Sequence, residues 1–319
     1  VTGATFVIGI SCWYLLKKRN TDFAMRSIRV AALFGLFASI ILLWTGDGSA
    51  YQVAQKQPMK LAAMEGLYEG QEGAGLVAVG VLNPAKETYD DAENPFLFKI
   101  EIPNMLSLLA EREPDAFVPG IKDLVDGGYP LRNGETALSA SEKIARGKVA
   151  IQALADYRTA LKAKDEAAMK EHRATLDANF PYFGYGYLDE PSDLIPPVGL
   201  SFYSFHIMVI LGGYLILLFI VVLLMGRNGK IQEVRWLHHV ALWSIPLAYI
   251  AGQAGWIVAE VGRQPWAIQD ILPTVAGVSR LSVSAVQTTF FIFLILFTIL
   301  LIAELRIMVK AIQKGPENG

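Results

Sequence analysis

Gly255-Trp256-Ile257-Val258-Ala259-Glu260-Val261-Gly262-Arg263-Gln264-Pro265-Trp266 carries an apolar run directly into a carboxylate, then into a turn between two tryptophans. A charged side chain inside a membrane helix costs roughly 2.5–3.5 kcal/mol on insertion scales, so such a residue pairs, neutralises, lines water or binds a cofactor. One reading of Glu260 is a helix-end carboxylate that snorkels to the interface and pairs with Arg263. The other is a functional group. On a helix, Trp256 (i−4) and Arg263 (i+3) share a face with Glu260. Gly255 and Gly262 strip side-chain bulk from that neighbourhood, as a large flat ligand requires. A carboxylate placed there can ligate iron or relay protons.

Both readings presuppose a membrane, and the flanking sequence supplies it. A span needs about 20 mostly apolar residues. Residues 236–260 form one, with Pro246 as an expected kink. Residues 261–283 are a short loop, and 284–309 a further span ending among Arg306, Lys310 and Lys314. Upstream, 200–225 stops at Arg227 and Lys230, and 23–45 closes at Trp44 and Gly46-Asp47-Gly48. Residues 1–16 are slightly short for a span and read as the tail of a longer helix, with more chain expected before Val1. The expected fold is an all-α integral membrane protein with five transmembrane helices and a large extracytoplasmic loop of short helices. It divides into 1–45 (two helices), 46–198 (the loop) and 199–319 (three helices and a C-terminal tail).

Charge orients these spans. Lys17, Lys18, Arg19, Arg26 and Arg29 lie against a single acid, Asp22, so this loop belongs in the cytoplasm. Five spans then put the basic 226–235 loop and the C-terminus inside as well, and 46–198 and 261–283 outside. The 319 residues are 53% hydrophobic with mean hydropathy +0.37 and net charge −2. No basic domain is present, so nucleic acid is not a partner. One cysteine, Cys12, excludes an internal disulfide, a cysteine metal cluster and a covalently attached c-type haem; it reads as a small buried hydrophobe.

The insert holds short amphipathic pieces. Residues 59–69 read as a short helix. Residues 93–109 mix Pro with apolar side chains, and 141–162 repeat apolar residues at helical spacing. Asp165 is placed to cap a helix reaching about Leu176. Pro191, Pro196 and Pro197 close the region.

Few side chains can carry chemistry. Met208 lies one third of the way into its span. A thioether is a haem iron ligand when paired with His, and is otherwise a common core filler. His206, two residues earlier, points elsewhere on a helix and suits an interface hydrogen bond or a propionate partner. His238 and His239 read as interfacial and His172 as solvated, so no histidine metal site can be assembled. Lys60 and Glu65 are five residues apart and not on one helical face.

These residues together resemble subunit I of the cytochrome bd-type quinol oxidases. Gly262-Arg263-Gln264-Pro265-Trp266 matches that family's GRQPW signature. Gly255-Trp256, Ala259-Glu260 and Ile207-Met208 match as well. Gly46-Asp47 leading to Lys60-Leu61-Ala62-Ala63 and Glu65 resembles the start of its quinol loop. The resemblance spans the chain in order and suggests the C-terminal portion of a long-loop member. It implies three cofactors, low-spin haem b, high-spin haem b and haem d. Met208 would ligate the low-spin haem and Glu260 a high-spin iron, with the remaining axial histidines upstream. Trp256, Arg263 and His206 would line the haem sites, and Lys60 and Glu65 would serve quinol oxidation. Some members carry Arg where this chain has His206.

The implied protein is a terminal oxidase of the bacterial inner membrane. It oxidises quinol at the outer face and reduces oxygen to water, building a proton gradient without pumping. Its implied partners are a second membrane subunit, small accessory subunits and the lipid bilayer. A transporter with an ion site at Glu260, or a scaffold whose loop binds a partner, are the alternatives.

Overall fold

The computed structural model describes residues 1–132, 134–227 and 229–316; the final residues of the expected C-terminal tail, 317–319, lie outside them. The chain opens with α1 (Thr2–Leu16), α2 (Thr21–Lys56) and α3 (Pro58–Glu65). The insert follows with β1 (Gln71–Glu72), β2 (Leu76–Leu82), β3 (Phe96–Ile102), α4 (Met105–Glu111), β4 (Phe117–Val118), α5 (Ile121–Asp126), α6 (Ala140–Ala163) and α7 (Glu166–Asn179). Two 3₁₀ turns, Phe180–Tyr187 and Pro191–Leu194, lead to α8 (Val198–Arg227), α9 (Arg235–Val261), β5 (Trp266–Ile268), β6 (Leu272–Pro273) and α10 (Val283–Lys314). Among the described residues, four helices are long and apolar enough to cross a membrane: α2, α8 with its lead-in, α9 and α10; α1 is apolar but shorter. This is the fold of a multi-pass α-helical membrane protein.

The chain forms two compact units. One comprises residues 1–40, 211–249 and the segment from Val278. Its core gathers Ile8, Cys12, Ile28, Phe219, Val222 and Leu237. Cys12 is a free, buried thiol, as its apolar setting predicts. Here α1 approaches α9 closely at Gly9, where a Cβ would lie 2.7 Å from Ile245 Cδ1. His238 is buried, with Nε2 2.6 Å from the Ile231 carbonyl. No residue of α10 is buried. Its last turn is held by Tyr14 Oη on the Ile312 carbonyl (2.7 Å), and by Arg19 Nη1 and Nη2 on the Gln313 and Lys314 carbonyls (2.7 and 2.6 Å).

The second unit, residues 41–210 and 250–277, contains the insert. Helix α2 does not stop at Gly46-Asp47-Gly48 but runs to Lys56. Two helical glycines cost about 1 kcal/mol each relative to alanine. Side-chain contacts tie this stretch to the insert. Arg112 donates twice to Asp47 (2.8 and 2.7 Å) and covers the Tyr51 ring, and Gln55 donates to the Ala110 carbonyl (3.1 Å).

Helix α6 is capped by Ser139, whose Oγ accepts from Glu142 N, and α7 by Asp165, which accepts from Ala168 N. Gly147 and Gly186 meet backbone to backbone, which brings α6 onto the Phe180–Tyr187 turn. Among the described residues, three antiparallel two-stranded pairs, β1–β4, β2–β3 and β5–β6, add strands to the insert and to the loop after α9 that the expected short helices do not include.

Candidate functional site

The carboxylate stretch is the last two turns of α9 and the turn that leads from it to the start of β5. Side chains from the GRQPW motif close the helix. Gln264 Nε2 donates to the Glu260 carbonyl (3.1 Å), covering one of the acceptors a helix end leaves open. Arg263 Nη2 donates to Glu260 Oε2 at 2.5 Å, both side chains being about two-fifths exposed. Thr274 then holds the Pro265 carbonyl, through N at 2.7 Å and Oγ1 at 3.1 Å. Trp266 is 5% exposed and packs edge-on to Tyr185 at 4.9 Å among Val125, Ile144, Leu188 and Leu194. Tyr185 Oη in turn donates to Asp270 Oδ1 at 2.6 Å. The motif therefore both ends α9 and seats the insert.

Helix α3 starts with Pro58 at its first position and brings Lys60 to this same helix end. Lys60 Nζ donates to the Ala259 carbonyl at 3.4 Å. Gly262 makes room for it: a Cβ there would lie 3.2 Å from Lys60 Cγ. Burial lowers the Lys60 pKa, the Arg263 charge lowers it further, and Glu260 acts in the opposite direction. Lys60, Glu260 and Arg263 thus form one charged cluster. Arg263 Nε is buried without a partner among the described residues.

Glu65 goes elsewhere. It is the last residue of α3, before Gly66 in the left-handed conformation at φ 64, and is 2% exposed. Its Oε2 accepts from Val77 N at 3.3 Å. Burial pushes its pKa up to about 8, against the smaller downward pull of that N–H. The Val77 carbonyl faces His206 Nε2 at 2.8 Å, while His206 Nδ1 faces the Phe202 carbonyl at 2.8 Å. Lys60 and Glu65 therefore belong to separate clusters, consistent with a five-residue spacing that puts them on different faces of α3. Val77 takes part through its backbone alone, so no side-chain pattern could have singled it out. Asp270 and Tyr185 were also missed, although the run of aromatics from Phe180 to Tyr187 marks a packing segment.

Met208 meets α9 at a glycine. A Cβ on Gly255 would lie 2.9 Å from Met208 Sδ. The sulfur thus faces backbone where a side chain would otherwise exclude it. Trp256, next along the helix, is 65% exposed. No group of three or more His, Cys, Asp or Glu able to hold a metal ion occurs among the described residues. A macrocycle that carries its own iron needs only an axial side chain, a flat approach and donors for its carboxylates. Met208 beside Gly255 and the spare Arg263 Nε fit those needs. His206 has both ring nitrogens against backbone carbonyls and offers neither to such a group.

A multi-pass helical membrane protein, with a long insert docked on a carboxylate–guanidinium pair at a helix end, is the class these features define. The family model for cytochrome bd terminal oxidase subunit I matches residues 1–316, and the chain belongs to that family. It is similar to cytochrome bd-II ubiquinol oxidase subunit 1 of Escherichia coli (strain K12), 39% identical over 317 residues, covering 99% of this chain and 60% of that protein. It is 27% identical to cytochrome bd ubiquinol oxidase subunit 1 of Bacillus subtilis (strain 168) over 319 residues, covering 99% of this chain and 54% of that one. The chain thus spans little more than half the length of these relatives. The solved bd oxidase from Geobacillus thermodenitrificans shares the fold, with TM-score 0.66 at 24% identity over 99% of this chain and 55% of that one.

Proposed function

We propose that the chain is the C-terminal portion of a long-loop bd-type oxidase subunit I. In this reading it works in the bacterial inner membrane, oxidising quinol at the outer face and reducing oxygen to water. The observation that carries the reading is the convergence of Lys60, from the insert, on the Glu260–Arg263 pair at the end of α9. That contact joins the residues expected to handle quinol to those expected at the haems.

Met208 and Glu260 are the side chains that would hold haem iron, with Arg263 Nε available to a haem carboxylate. When bound, the low-spin haem b, high-spin haem b and haem d supply one-electron transfer and the iron at which oxygen is reduced. The protein's own part is to bind quinol and move its protons. Lys60, a cation made easier to deprotonate by burial and by Arg263, orients a quinol oxygen. Glu65, once deprotonated, accepts a hydroxyl proton and returns it to the outer side. The pair Glu260–Arg263 keeps the carboxylate at the helix end.

The basic segments 17–29 and 226–235 and the C-terminal tail lie in the cytoplasm, and 46–198 lies outside, forming the quinol-binding domain between membrane parts 1–45 and 199–319. A second membrane subunit, small accessory subunits and lipid cover the apolar helix faces, α10 above all. A reduced-minus-oxidised spectrum of the purified complete protein tests the reading: haem b and haem d bands are expected, and their absence would sink it.

A further inference from the structure

Val77 stands between two buried side chains. Its N–H donates to Glu65 Oε2, and its carbonyl is 2.8 Å from His206 Nε2. At the other end of the same strand, Leu82 N donates to Tyr203 Oη at 3.0 Å. Between them lies Phe202, fully buried, edge-on to Phe96 at 5.6 Å and 4.0 Å from the His206 ring. A Cβ on Gly80 would come within 3.1 Å of the Phe202 ring, so the strand lies directly against α8. The first three turns of α8 thus hold β2 at both ends.

A carboxyl withdrawn from water depends on its remaining donors. Among the described residues Glu65 has one backbone donor, and that donor moves with the Val77 peptide. We propose that His206 is a positioning residue in its Nε2–H tautomer: that N–H fixes the Val77 carbonyl, and through the Val77 peptide it sets the place of the Glu65 carboxyl. This departs from the expectation that His206 serves the haem as a propionate partner. It rests on the reading that the loop oxidises quinol through Glu65.

The test uses the complete oxidase with His206→Phe, His206→Gln and, in parallel, Glu65→Ala. For His206→Phe we expect the KM for quinol to rise by roughly two- to tenfold, the range one hydrogen bond supports. Amide hydrogen exchange in 76–80 should accelerate, while the low-spin haem band and midpoint potential stay in place. His206→Gln keeps an N–H donor and should restore both the KM and the protection. A shifted haem band with unchanged exchange would overturn the proposal and return His206 to the haem. Faster exchange with an unchanged KM would also overturn it, because the clamp would then not position Glu65. Normal quinol turnover in Glu65→Ala would instead defeat the quinol-loop reading itself, while the exchange data on His206→Phe would still decide whether the clamp exists.

Discussion

Met208 Sδ and Gly255 meet so closely that a Cβ on the glycine would lie 2.9 Å from the sulfur. The contact is sterically exclusive, but the sulfur sits on a flexible side chain that can turn away. Gly255→Ala is therefore expected to displace Met208 while leaving the helices in place. In the complete oxidase the low-spin haem band should weaken or shift with normal expression, and Met208→Leu should abolish it selectively. An unchanged spectrum in Met208→Leu would refute the ligand role.

Glu65 gives a pH dependence with a definite sign. Its carboxyl is pushed up to about 8 by burial, so it holds a proton below that pH and loses it as pH rises through it. A base that must be deprotonated to accept a quinol proton becomes active over that limb. The kcat/KM for quinol should rise with pH up to about 8 and level off above it. In Glu65→Gln that limb should vanish with haem content intact. A rise that persists in the variant would assign it to another group.

Gly262 is needed twice over. A Cβ there would lie 2.6 Å from the Val258 carbonyl and 3.2 Å from Lys60 Cγ. Backbone cannot yield as a side-chain tip can, so Gly262→Ala should cost about 1–3 kcal/mol, the usual scale of overpacking. Thermal inactivation of the purified protein at a lower temperature is the expected outcome. A quinol KM raised alongside it would place Lys60 among the groups displaced.

Tyr185 and Asp270 fasten the insert to the loop after α9 through a 2.6 Å hydrogen bond. Tyr185→Phe removes a donor to a carboxylate, a loss of roughly 1.5–3 kcal/mol for bonds to charged groups. Limited proteolysis between α6 and α7 should speed up while the membrane helices stay protected. Equal cleavage rates would mean that Trp266 alone seats the insert.

The long helices were legible because twenty apolar residues in a row admit little else. So was the cap of α7, where Asp165 has one obvious job. The end of α2 was not, because the sequence shows Gly46 and Gly48 but not Arg112, which reaches Asp47 from 65 residues away. Strand β3 left a signal, the alternation of Phe98, Ile100 and Ile102 with Lys99 and Glu101, masked by the prolines around it. At the site, the spacing separated Lys60 from Glu65 correctly. It could not say that Lys60 turns to Ala259 and Glu65 to Val77, since both partners are backbone groups.

The seat of α10 bears on the order of events in folding. Its final carbonyls take their donors from Arg19, 294 and 295 residues away in sequence. Contacts of such separation close only after the intervening chain has been laid down, which makes them late in assembly. Interactions formed late govern how fast a structure comes apart more than how fast it forms. Arg19→Ala should then quicken opening of the last turn, seen as faster amide exchange over 310–316, with membrane insertion proceeding at its usual rate; slowed insertion would mean the contact forms early.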